Sequence, residues 1–338
     1  MGMKKTDIRK KAGPLKVCLR ILGGLLAALL LFLLVMFLIP LTETGDRTKV
    51  EGSADWMARL EDPTPLDAIT IPGTHDSATR YVQLGYFSKC QAMSIGEQLE
   101  AGYRYLDIRL AVDGDGMKLM HGFTNCRTSP FNPVDKLYLD DLLDDCYAFL
   151  KKHPTETVVF AVKQEHGKDS VAVFESMLNS YIREDADMWL LTDSIPTLDE
   201  ARGKLVLMRR YEDEGGLEAR SGIPLIWADQ KGAKDTRPNV VAEKNDFYTL
   251  YVQDRFEYDT EAKWEAFTKG MAMAEKRAKD GDVILSFLST KGSLTYGHPR
   301  QFANVLNPRL AELDSLSGWV VVDFLSPKLA ETIYSHNF

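Results

Sequence analysis

The sequence predicts an α/β protein: a (β/α) barrel preceded by a single membrane-crossing helix. Three observations carry this. An uncharged run of 21 residues, Ile21–Leu41, lies near the N-terminus. Beyond it, short Val/Ile/Leu-rich runs alternate with helical patterns. Polar or charged residues recur at the trailing ends of those runs: His75, Arg109, Lys163, Arg210, Asp254 and Asp323.

The N-terminal elements come first. Residues 1–20 carry seven Lys/Arg against one Asp, a net +6. The run at 21–41 is long enough to cross a hydrocarbon core of about 30 Å, and Glu43 and Asp46 follow it. The positive-inside rule places a basic tail (1–20) in the cytoplasm and everything after the anchor outside the cell. A cleaved signal peptide is the alternative, but the apolar run exceeds the usual signal core and no A-x-A site follows. Residues 42–55 read as a polar linker, and 56–338 as the catalytic body. The chain as a whole is −8, so the part after residue 20 carries −14. That excess of acid argues against nucleic acid as a partner and against docking on anionic lipid by charge.

In the body, the runs Ala68–Pro72, Tyr105–Leu110, Thr157–Lys163, Lys204–Arg210, Tyr248–Asp254, Asp282–Leu288 and Trp319–Phe324 lack strict alternation, as strands buried on both faces do. Helices are expected at Ser94–Ala101, Leu139–His153, Ser170–Arg183, Thr260–Lys279 and Pro299–Leu313. Alternation of this kind implies parallel strands with crossovers. About seven such units, with no G-x-G-x-x-G after the first strand, favour a barrel over a doubly wound sheet. The C-terminal strand ends of a barrel open on one face, where active sites sit. One charged strand end is commonplace; six of mixed sign on one rim point to a site.

Cys18 borders the anchor, and Cys146 falls on the apolar stripe of a helix. Cys90 and Cys126 lie in loops and could pair outside the cell. The loop after His75 carries Tyr81, Val82, Leu84, Tyr86 and Phe87, many large apolar groups for a solvated segment. Leu84, Tyr86 and Phe87 are expected to touch a lipid surface, for which amphipathic rings are suited; packing beneath the loop is the alternative.

The stretches "IPGTHDSAT", "EQLEAGYRYLDIRL", "LMHGF", "FLKKHPTETVVFAVKQE", "GKLVLMRRY" and "GWVVVDF" resemble, in order, the bacterial phosphatidylinositol-specific phospholipase C family and its X-domain relatives. The resemblance runs from about Asp67 to Asp323. It implies an irregular TIM-like (β/α) barrel. It also implies cleavage of phosphatidylinositol to diacylglycerol and inositol 1,2-cyclic phosphate by attack of the inositol 2-hydroxyl. Such attack needs a group to take the hydroxyl proton and another to protonate the glycerol oxygen, and two histidines suit both tasks. The resemblance makes His75 the base, His121 the acid and Arg109 the phosphate-binding guanidinium. Asp76 would pair with Arg109 and assist the acid, and Asp323 would orient the base. Lys163, Arg210 and Asp254 match inositol-binding positions, with Arg209 as the alternative to Arg210. Phe256 stands where the family commonly has a tyrosine, which removes a hydroxyl from the headgroup pocket.

Arg109 stands where calcium-dependent relatives carry a carboxylate, so no cofactor and no metal are expected; calcium at Asp107 is the alternative. Expected partners are phosphatidylinositol or its glycosylated forms, in a membrane, acted on by a monomer. The rival functions are a metal-dependent glycerophosphodiester phosphodiesterase, a non-catalytic membrane-tethered inositol-lipid binder, and a purely structural surface protein.

Overall fold

The computed structural model describes residues 13–132, 134–212, 222–230, 240–291 and 297–338, so residues 1–12 of the basic tail lie outside it. The strands are β1 (Ile71–Thr74), β2 (Tyr105–Asp113), β3 (Gly116–His121), β4 (Thr124–Asn125), β5 (Val158–Gln164), β6 (Trp189–Leu190), β7 (Leu205–Arg209), β8 (Ile223–Pro224), β9 (Val241–Lys244), β10 (Thr249–Gln253), β11 (Val283–Phe287) and β12 (Trp319–Val322). The helices are α1 (Pro14–Thr42), α2 (Gly85–Ser88), α3 (Ile95–Glu100), α4 (Leu139–Lys152), α5 (Val171–Glu184), α6 (Leu198–Ala201), α7 (Thr260–Arg277), α8 (Pro299–Leu306) and α9 (Pro327–Tyr334).

The strands follow the order β6-β7-β5-β2-β1-β12-β11-β10-β9. Neighbours from β6 to β10 are parallel, whereas β9 runs antiparallel to β10 and β3 antiparallel to β2. Between the segment around β8, which pairs with β7, and the segment around β10, side chains stand in for a ladder. Gln230 Nε2 donates to the Val252 carbonyl at 3.1 Å, and its Oε1 accepts from the Asp254 N–H at 3.1 Å. The Tyr248 hydroxyl donates to the Pro224 carbonyl. The barrel is therefore irregular at this side.

Strand alternation divides the core. Tyr105, Val159, Ala161, Val206, Met208, Leu250, Val252, Leu285, Trp319 and Val321 belong to one buried cluster, which fills the barrel interior and extends to α6, α8 and α9. Leu106, Ile108, Phe160, Val162, Leu205 and Leu207 belong to a second, shared with α4 and α5. Gly73 of β1 allows the tight interior: a Cβ there would lie 2.9 Å from Tyr105 Cβ and 3.1 Å from Val321 Cγ2.

Several expectations shift. β1 starts at Ile71 rather than Ala68, and β2 runs past Leu110 into a β2–β3 hairpin that the expected elements do not include. The apolar helix extends from Pro14 to Thr42, beyond both expected ends; among the described residues it is the one helix long and apolar enough to cross a membrane. The supposed linker is packed on the body. Arg47 pairs with Glu97 at 2.7 Å, and Ser53 is buried beside Trp56 and Met57. A stretch with so many partners does not act as a free tether.

Candidate active site

The alternation that fills the interior also delivers the charged residues to the mouth. On β2, Tyr105 points inward and Leu106 and Ile108 outward, so Asp107 and Arg109 share the inward row. On β7, Val206 and Met208 point inward and Leu207 outward, which puts Arg210 inside. Arg210 donates to Asp107 at 2.7 Å and lies 3.9 Å from the centre of the Trp227 ring. Arg209 instead donates to the carbonyls of Gly222 and Tyr211 at 3.2 Å. Its place on the other face removes it from the site.

At the end of β1 the chain turns sharply. The His75 N–H donates to the Val322 carbonyl at 3.0 Å, and Asp76 takes a left-handed backbone with φ 42°, a conformation that Asp tolerates better than most residues. The turn aims the two side chains differently. His75 Nδ1 meets Asp323 Oδ1 at 2.8 Å. His75 Nε2 lies 3.0 Å from Arg109 Nη2 and 3.2 Å from Asp76 Oδ2. Because a guanidinium can only donate, Nε2 presents its lone pair and the ring proton resides on Nδ1, facing Asp323.

His121 arrives from the end of the antiparallel β3, not from a parallel strand. Its Nδ1 donates to the Ser88 carbonyl at 2.8 Å, and its Nε2 lies 3.3 Å from Asp76 Oδ2. Asp76 also meets Arg109 Nε at 3.0 Å. The two imidazoles, 6.1 Å apart between centroids, thus flank one carboxylate and one guanidinium.

Charge balance sets the protonation states. Burial, reinforced by the Arg109 charge, holds His75 well below the ordinary histidine value. Burial pushes Asp76 up to about 6 against the pull of Arg109 and His121, and holds Asp323 well above the carboxylate range. Asp107 is also wholly buried, yet the Arg109 and Arg210 charges outweigh burial and keep it far below that range. Three trios could in principle bring ligand atoms together on a metal: His75, Asp76 and Asp107; Asp76, Cys90 and His121; and His75, Cys90 and Asp323. Calcium asks for six to eight oxygens. Here Asp76 and Asp107 already hold Arg109 at 3.0 Å each, so the donor set does not fit that ion.

The remaining candidates are placed as follows. Lys163 pairs with Glu165 at 2.8 Å. Asp254 accepts from Trp227 Nε1 at 3.1 Å, and burial raises its carboxyl. Phe256 is half-buried, its carbonyl accepting from Thr290 and Lys291. Leu84 is 60% and Phe87 38% exposed, and Tyr86 packs on Phe87 with centroids 4.9 Å apart. The suggested Cys90–Cys126 disulfide is not formed, for both thiols are free and buried. Cys90 Sγ faces the Ser88 carbonyl and His121 Nδ1, while Cys126 packs in the outer core.

Two residues at the mouth escaped the sequence reading. Glu165 Oε1 accepts from the Gly122 N–H at 3.1 Å, and its carboxyl is lowered because the Arg109 and Lys163 charges outweigh burial. Its signal was present, as the second charge at the end of "VKQE". Trp227 follows β8, a strand too short to leave a pattern.

Comparison with known proteins agrees with this fold. Residues 64–211 match the family described as Phosphatidylinositol-specific phospholipase C, X domain. Over 291 residues the chain is 28% identical to a 1-phosphatidylinositol phosphodiesterase of Staphylococcus aureus (strain Newman), covering 80% of this chain and 88% of that one. It is 27% identical over 340 residues to the protein of the same name from Listeria monocytogenes, covering 92% and 96%. Among solved structures, the phosphatidylinositol-specific phospholipase C from Listeria monocytogenes superposes with a TM-score of 0.67 at 26% identity, over 85% of this chain and 99% of that one. The F249X mutant of the Staphylococcus aureus enzyme gives 0.69 at 26%, over 84% and 98%. By its ordered motifs, its barrel and these relatives, the chain carries at residues 64–211 the X domain of the phosphatidylinositol-specific phospholipase C family.

Proposed function

We propose that this protein is a phosphatidylinositol-specific phospholipase C that releases diacylglycerol and inositol 1,2-cyclic phosphate. The observation that carries the reading is the pair of imidazoles, one with its Nε2 lone pair turned to Arg109 and one with its Nε2 turned to Asp76, which in turn holds Arg109. His75 Nε2 takes the proton of the inositol 2-hydroxyl as its oxygen attacks phosphorus. Asp323 holds the ring and steadies the imidazolium that forms. Arg109, held by Asp76 and Asp107, stabilises the charge that builds on the phosphorane oxygens. His121 enters as the imidazolium, its Nδ1–H on the Ser88 carbonyl and its Nε2–H toward Asp76, and gives the Nε2 proton to the glycerol oxygen as the phosphorus–oxygen bond breaks, so one proton is gained at His75 and one lost at His121. Arg210, Asp254, Lys163 and Phe256 receive the inositol ring, with Trp227 supplying a flat wall.

The same guanidinium supports metal-independent catalysis, since it supplies the positive charge that a Lewis acid would otherwise bring. A metal-dependent glycerophosphodiester phosphodiesterase would need carboxylates free to ligate, and Asp76 and Asp107 are committed to arginines. The exposed Leu84 and Phe87, with Tyr86, form the lipid-facing rim. The basic tail and the apolar helix support a single-pass anchor with its N-terminus in the cytoplasm and the barrel outside.

The test is incubation with phosphatidylinositol, followed by phosphorus NMR. A cyclic phosphate is expected, with activity in EDTA within about twofold of the untreated rate. An acyclic phosphate as first product, or activity lost to EDTA and restored by calcium, would reject the mechanism.

A further inference from the structure

The end of the apolar helix is clasped by the rim of the active site. Lys89, only 6% exposed, donates from Nζ to the carbonyls of Pro40 at 2.6 Å and Glu43 at 2.9 Å. The last carbonyls of a helix lack intrahelical partners, and here a lysine from the body supplies one. The Glu43 carboxylate is buried against His298, 3.1 Å from its Nδ1, and Tyr86 packs against that imidazole with centroids 4.7 Å apart and planes inclined by 45°. Gly85 meets Pro40 so closely that a Cβ on it would lie 2.9 Å from Pro40 Cβ.

Below this clasp a groove of about 330 Å³ runs between Phe32, Met36 and Phe37 of α1 and Val82, Leu84 and Phe87 of the rim loop. From Phe32 to Pro40 the helix rises about 12 Å. The rim loop therefore lies beside the last stretch of the apolar helix, a stretch that the anchor reading puts in lipid. The active site belongs to the same rigid piece: Ser88, next to Lys89, accepts from His121 Nδ1 at 2.8 Å.

We infer that the clasp holds the barrel mouth against the leaflet from which α1 emerges, so that the enzyme takes inositol phospholipids of its own membrane and not of an apposed one. The inference rests on the phospholipase reading for its substrate and on the clasp for its geometry.

The test uses the full chain reconstituted in phosphatidylcholine vesicles, with phosphatidylinositol either in the same vesicles or in separate ones. The same-vesicle rate is expected to exceed the separate-vesicle rate at least about tenfold. Tethering alone would also favour same-vesicle lipid by effective concentration. A second protein therefore carries a 20-residue Gly/Ser insert between Thr42 and Glu43 together with Gly85→Leu, which wedges Pro40 away. Freed of the clasp, it is expected to cleave separate-vesicle lipid at least about fivefold faster than the native chain, with equal hydrolysis of soluble inositol cyclic phosphate. Equal rates of the two proteins on separate vesicles, or native rates within about twofold for the two lipid sources, would overturn the inference. A nitroxide on Leu84→Cys, with Cys18→Ser, reports orientation without catalysis: immersion in the bilayer is expected, and a label in water overturns the clasped geometry. Failure of the native chain on the soluble cyclic phosphate would instead reject the phospholipase reading, leaving the label to decide the orientation.

Discussion

At the residue scale, the adjacent His75 and Asp76 do different work because a left-handed backbone at Asp76 splays them: one ring leans on Asp323, and one carboxylate bridges Arg109 and His121. His75→Ala and His121→Ala should each lose about 10²–10⁴ in rate, the usual scale for acid–base groups. Arg109→Lys should be comparably severe, since an ammonium cannot reproduce a fork that spans Asp76, Asp107 and phosphate. Near-normal turnover in both histidine variants, with native circular dichroism, would sink the mechanism. The pH dependence follows from the direction of the His75 shift. A base works when neutral, so activity falls as pH drops through its pKa; burial and Arg109 lower that pKa from 6.5. The acid limb of kcat/KM should therefore lie below pH 6.5, and a limb above it would contradict the buried, Arg109-facing ring.

At the element scale, the motif residues on parallel strands were readable because the strand period sorts them: "YLDIRL" alternates interior and exterior, and its inward row is Tyr105, Asp107, Arg109. Where that period breaks, the reading lost position. His121 is marked by its motif, but the strand that carries it, Gly116–His121, is absent from the expected elements. Trp227 follows a two-residue strand, and the clasp at Lys89 depends on contacts 46 and 49 residues apart, which no local period reveals. The loop between β1 and α3 is the segment proposed to face lipid. Leu84→Ser with Phe87→Ser should slow turnover of vesicle lipid at least about fivefold more than turnover of soluble inositol cyclic phosphate, because the soluble substrate needs no lipid contact. Equal losses on both substrates would mean that these side chains support the barrel rather than the membrane contact.

At the scale of the whole molecule, the closed end of the barrel is held by a buried ion pair that the active site does not use. Arg104 Nη2 and Glu156 Oε2 are 2.8 Å apart, and neither side chain is exposed. The guanidinium also donates to the carbonyls of Leu99 at 2.6 Å, Tyr103 at 2.9 Å and Ala54 at 2.7 Å, and lies 4.5 Å from the centre of the Phe149 ring. Glu156 Oε2 further accepts from the Met57 N–H at 3.3 Å. One pair thus joins the segment before the barrel, the end of α3, the start of β2 and the turn after α4. Its two charges are costly to bury, and their mutual attraction with the surrounding carbonyls offsets that cost only while both are present. Glu156→Gln keeps the shape but leaves the Arg104 charge uncompensated, so it should destabilise the fold by about 3–5 kcal/mol. The loss should appear as a lower midpoint in urea with an unchanged slope. Activity per folded molecule should stay native, since the pair lies at the start of β2 and the site at its end. A urea midpoint within error of the native one would show that the floor does not depend on this pair.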